Sequence, residues 1–142
     1  MPSFVLGGFV LVHGIITTFI GVGGITKPNT AALTLPGWFS WWPGPFGRSW
    51  LLDGLNLGSG GAIAGGVIWL VAGVALIGAG LGYLGAPLVQ EHWPLLAVAG
   101  AAVGLVALGL YFHPIYLLAI GIDIALIVLL WERVGAPGSS FR

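Results

Sequence analysis

The chain has 142 residues, 58% hydrophobic and 6% charged, with four Lys+Arg balanced by four Asp+Glu and a mean hydropathy of +1.07. Soluble domains carry roughly 25% charged residues, so these few charges cannot solvate a globule of this size, and a bilayer is the expected solvent for most of the exterior. Zero net charge excludes a basic footprint for nucleic acid and a polybasic patch for anionic lipid. The absence of cysteine excludes disulfides, thiol catalysis and thiolate metal sites.

These bounds point to an all-α membrane protein: four transmembrane helices in an up-down bundle, with a Trp/Pro-rich interfacial loop after the first. A single domain covers residues 1–134, and 135–142 form a short flexible tail. A bilayer-crossing helix needs about twenty predominantly apolar residues. The first span, 4–24, meets that length and carries His13 near its middle. No Lys or Arg precedes it and no small-residue cleavage site follows, so it is expected to be retained and not removed as a signal peptide. Gly7, Gly14 and Gly21 recur every seven residues. That spacing gives one bare stripe on which another helix can pack closely. Thr17 lies one turn after His13, and both Thr17 and Thr18 can return hydrogen bonds to the helix backbone.

Residues 26–60 form the long connection. Pro36, Pro43 and Pro45 deny it a regular helix over that stretch. It carries Trp38, Trp41, Trp42 and Trp50, and Trp favours the membrane–water boundary, where its ring and N–H are both satisfied. With Trp93 and Trp131 these are the expected interfacial anchors. A lid over a cavity is the functional alternative for the loop.

The second span, 61–84, contains Gly61/Gly65 and Gly78/Gly82, two GxxxG spacings that mark a packing face without specifying a partner. After a short loop that includes His92 beside Glu91, the third span, 94–112, opens on Pro94 and shows Gly100/Gly104. Residues 95–132 as one helix would run about 57 Å, against a core of about 30 Å. The chain must therefore reverse near His113-Pro114, and the fourth span is 114–131. The positive charges tie, Lys27 and Arg48 against Arg133 and Arg142. The aromatic first loop suits an outward position, which puts both termini on the cytoplasmic side of a bacterial inner membrane.

Two titratable groups fall within the spans, His13 in the first and Asp123 in the fourth, each about half-way along. An isolated charge at the bilayer centre costs at least about 2.5–3.5 kcal/mol, and a partner at equal depth offsets it. The expectation is that the first and fourth helices pack together with His13 facing Asp123, Thr17 in the same network, and Gly14 and Gly121 permitting the approach. Such a pair is either a polar clamp that fixes helix register or a proton-accepting site lining a ligand or ion path. A haem held by two histidines needs a second one at this depth, whereas His92 and His113 lie at the boundaries. Phe9, one turn before His13, crowds a pigment ring. Lipid or quinone are the ligands left open. No catalytic or metal-binding set appears.

The Leu11-Val12-His13-Gly14 motif in the first helix, the longer loop and the three further spans resemble the DoxX-like proteins and related small four-helix bacterial membrane proteins. The chain departs from the better-known members in lacking an acidic residue in the Gly-rich second helix and an Arg opening the first. The resemblance implies a membrane subunit linked to quinone redox complexes. Three functions follow as expectations: an accessory subunit packed within a larger membrane assembly, a DoxX-like quinone- or redox-associated protein, and a small proton or solute transporter using the His13–Asp123 pair.

Overall fold

A computed structural model describes residues 3–26, 59–112 and 116–134. The described residues form four helices: α1 Ser3–Thr26, α2 Ser59–Tyr83, α3 Trp93–Leu110 and α4 Leu117–Val134. The four expected helices are present, displaced by up to three residues at their ends. α1, α2 and α3 are long and apolar enough to cross a membrane. α4 has 18 residues, as α3 does, and includes Asp123, Glu132 and Arg133, so it is more charged than the other three. Trp38, Trp41, Trp42, Trp50 and the reversal at His113-Pro114 lie outside the described residues.

Each helix packs on the next in sequence, α1 on α2, α2 on α3 and α3 on α4. Glycine decides how closely α1 and α2 meet. A Cβ on Gly14 would stand 2.6 Å from the backbone nitrogen of Ile77, and one on Gly21 2.5 Å from that of Leu70. Gly7 abuts the side chains of Tyr83 and Leu84. The expected stripe is therefore a packing face, and its partner is α2, not α4. α2 answers with a seven-residue row of its own, Gly66, Gly73 and Gly80, which lie against Gly21, Thr18 and Leu11. The pairing runs in opposite directions along the two helices, so they are antiparallel.

The other α2 glycines serve different neighbours. Gly61 and Gly65 form a berth for Tyr111, whose hydroxyl donates to the Gly61 carbonyl and whose ring fills the space where a Gly65 side chain would be. Gly78 faces Leu96, and Gly82 faces Val89 and Trp93. α2 closes on Gly85 at φ 97°, the left-handed region that glycine enters without steric cost. There Ala86 N–H donates to Leu81 O at 2.9 Å and Gly85 N–H to Gly82 O at 3.0 Å, the paired bonds of a Schellman cap. Gly100 of α3 packs on Leu76 and on Ala72 and Ala75.

Two expectations are corrected here. Trp93 is not an outward anchor: it is buried at 7% exposure and its ring meets Tyr83 edge-on at 4.8 Å. Opening α3 directly after a tight turn points it back at α2. Gly121 is not a close-approach residue: it is exposed, and nothing lies within 4 Å of a side chain built there. Trp131 points outward at 67% exposure.

The buried apolar residues divide into two clusters. One gathers Val10, Leu76, Ala97, Ala101, Leu126 and Leu130 with their neighbours, and the other Ile20, Trp69, Ala107, Leu108 and Tyr116. Every helix contributes to both, except that Tyr116 stands one residue before α4. Between the clusters, at one level of the bundle, lie His13, Ala72, Gly104 and Asp123.

Candidate functional site

The polar level is assembled from helix periodicity. On α1, Val10, Gly14, Thr17 and Gly21 form the buried face, and His13 sits at its edge, turned away from α2. On α4, Asp123, Leu126 and Leu130 are the buried residues, separated by three and four positions as one helix face requires. Asp123 thus projects inward with the core leucines while the opposite side of α4 stays apolar and exposed.

His13 Nε2 lies 3.0 Å from Asp123 Oδ1. The Asp123 side chain is 2% exposed and that of His13 13%. Either a ring N–H donates to the carboxylate or a carboxylic O–H donates to the ring nitrogen. A carboxylate this deeply buried requires such a partner, and the expected His13–Asp123 contact is present.

The two helices that carry the pair do not pack against each other as expected, since α1 and α4 share no extended contact among the described residues. The imidazole reaches across a gap. That gap is a cleft of about 260 Å³ lined by Phe9, Val12, His13, Ile16, Thr17 and Ile20 of α1, Trp69 of α2, Gly104 and Leu108 of α3, Tyr116, and Leu118, Ala119, Ile122 and Asp123 of α4. Its outer rim is apolar, with Phe9, Val12 and Ile16 about half exposed and Leu118 76% exposed. At its inner end Trp69 and Tyr116 form a tilted aromatic pair with centroids 5.8 Å apart.

Thr17 lines the cleft but lies outside the side-chain network. Its hydroxyl donates to the backbone carbonyl of His13 at 2.8 Å, the return bond to the preceding turn that helical threonines make. The Thr18 hydroxyl, by contrast, is buried beside Gly73 with no hydrogen-bond partner. His92 and Glu91 are exposed in the turn before α3. Among the described residues no group of three or more His, Asp or Glu side chains is placed to hold a metal ion.

Gly104, expected as a packing residue, packs against Asp123 of α4 and Ala72 of α2 and so completes the site. A Cβ there would stand 2.7 Å from Asp123 Oδ2, so the bare α3 backbone is the seat of the carboxylate. The seven-residue recurrence of Gly66, Gly73 and Gly80 could have been read from the sequence, as could their complement to Gly7, Gly14 and Gly21. The roles of Trp69 and Tyr116 had no local signal, because only the packing of three helices brings them to one cleft.

Comparison with known proteins adds no relative: no family model, no curated protein and no solved structure matches the chain.

Proposed function

We propose that this chain is an integral membrane protein whose α1–α4 cleft binds a small, largely apolar molecule dissolved in the bilayer. The His13–Asp123 pair supplies the polar partners for that molecule's head. One observation carries the reading: a buried pair at 3.0 Å forms the polar spot on the wall of an otherwise apolar, outward-opening cleft. A pair serving only to clamp helices would be expected between closely packed helices, and α1 and α4 are held apart at this level.

In this reading α4 crosses the bilayer beside α3. Its polar residue is paired inward, and its outer face presents Leu118, Ile124, Val128 and Leu129, which lipid can cover. A quinone falls within the class of ligand the cleft admits, being apolar with a compact polar ring, as the resemblance to DoxX-like proteins implies. The His13–Asp123 pair could then exchange a proton with it. The alternative of an accessory subunit rests on the exposed apolar faces, which lipid satisfies as well as a partner would.

The test is extraction and mass spectrometry of the protein purified in mild detergent. The expected result is a co-purifying apolar small molecule at near-stoichiometric level, lost when His13 and Asp123 are both replaced by Leu. Recovery of a stable large complex with an empty cleft would favour the accessory role. An unchanged small-molecule content in the double variant would sink the proposal.

A further inference from the structure

We infer that the occupant of the cleft is an uncharged lipid bearing a hydroxyl group, an alcohol or a phenol, whose O–H is donated to Asp123 Oδ2. This rests on the ligand-binding reading above and specifies the chemistry of the head.

The argument begins with the acceptor capacity of the carboxyl group. A carboxylate offers about four lone-pair sites over two oxygens, and His13 engages Oδ1. Oδ2 lies over Gly104, and both residues line the cleft. If the shared proton stays on the imidazole, Oδ2 is one oxygen of a carboxylate. If it moves to Oδ1, Oδ2 is the carbonyl oxygen of the acid. In both of these arrangements Oδ2 accepts, and if the acid proton sits on Oδ2 itself a hydroxyl head can still pair with it, because a hydroxyl accepts as well as donates. A head that satisfies it in every arrangement must therefore bring a donor, which an ester, an ether or a hydrocarbon lacks.

Charge narrows the class further. Where one acid proton is shared, the pair has zero net charge whichever partner carries it, and charge neutrality is the low-cost state for a group in apolar surroundings. Among the described residues no Lys or Arg lines the cleft, so an anionic head would meet Asp123 with nothing to neutralise it. A cationic head would have to displace His13 or leave the site with net charge in apolar surroundings, which is costly. An uncharged donor fits both constraints.

Size and shape place the remainder of the molecule. At about 260 Å³ the cleft is slightly smaller than the range of about 300–1,000 Å³ that encloses whole small ligands. It houses a head and the first part of a chain, and the chain leaves between Phe9, Val12 and Ile16 on one side and Leu118 on the other. Entry is from the side, between α1 and α4. Gly104 is then the specificity determinant, because any side chain there would cover Oδ2.

The experiment uses the full chain in lipid nanodiscs with a diazirine-bearing decanol as photolabel, read by mass spectrometry of chymotryptic fragments of α1 and α4. The competitors are decan-1-ol, its methyl ether, decanoate and decylamine at equal concentration in the bilayer. Decan-1-ol is expected to reduce labelling at least tenfold and the other three less than about twofold. In Gly104→Ala the tenfold advantage of the alcohol should fall to about twofold. The double replacement of His13 and Asp123 by Leu, in which neither member of the pair is left without the other, should do the same. Competition by the ether, carboxylate or amine equal to that by the alcohol overturns this inference while leaving the ligand-binding reading standing. Absence of labelling on α1 and α4 overturns both.

Discussion

α1 makes two seams, and they are built on opposite terms. Against α2 it sets one glycine row on another, so the two backbones touch at Gly14 and Gly21 and leave no room for a ligand. Against α4 it presents Phe9, Val12, His13 and Ile16 across a gap that one hydrogen bond spans. The first seam consists almost wholly of backbone contact and tolerates no added atom. The second consists of side chains and has space to spare. The contrast shows how a chain with few polar groups fixes one helix pair by shape and leaves the next open for chemistry.

The largest expected effect comes from filling the tight seam. Gly14→Leu and Gly73→Leu each drive a side chain into backbone within 3 Å. At Gly14 the neighbours are all backbone, and at Gly73 the Thr18 hydroxyl is backed by Thr18 backbone at 2.5 Å, so the helices must separate. Overpacking of this kind costs about 3 kcal/mol or more. Both variants should lose the compact bundle in a detergent-unfolding assay, and a near-normal midpoint for either would refute the close approach of α1 and α2.

Breaking the open seam should cost less. Replacing His13 and Asp123 together by Leu removes the bond across the gap without leaving a buried carboxyl unpaired, a loss of about 1–2 kcal/mol if polar pairs within membranes are the guide. The bundle should persist with a lowered midpoint, because no apolar contact is lost with it. If this variant unfolded as completely as Gly14→Leu, the pair would be structural in the main and the cleft incidental.

The smallest effect should be of opposite sign. Thr18→Val keeps the shape of the side chain and removes a buried hydroxyl that has no partner. Such a group costs about 1–3 kcal/mol, so the variant should be more stable by roughly 1 kcal/mol. Thr17→Val, by comparison, forfeits a bond to the His13 carbonyl and should be neutral or slightly destabilising. Gly121→Ala provides the baseline. Its side chain would meet nothing, so a gain of up to about 1 kcal/mol from helix propensity is the expected change in the same assay.

The two seams were unequally readable from sequence. Repetition at seven residues is visible in the letters, so the Gly7-Gly14-Gly21 row announced a packing face without structural help. Its partner was not announced, because expecting His13 to meet Asp123 drew that face towards α4. The pair was legible from depth alone: two titratable residues placed mid-span in an apolar chain have few other ways to be satisfied. The gap around the pair was not. Whether two helices joined by a hydrogen bond also touch along their length depends on the bulk of Phe9, Ile16 and Leu118, and on where α2 and α3 hold their ends. Trp93 misled for a similar reason: an indole at a helix start suits a boundary or a core equally, and only the turn at Gly85 sends it inward.

The 110 residues that separate His13 from Asp123 also set an order of events during synthesis. At about 5–20 residues per second, the imidazole waits on the order of ten seconds for its partner to leave the ribosome. During that interval α1 can already lie against α2, since Gly66, Gly73 and Gly80 arrive first, but its histidine faces an unfinished wall. The site therefore comes into being only when the last helix arrives. A chain halted before α4 would carry an unpaired polar group on an otherwise apolar face.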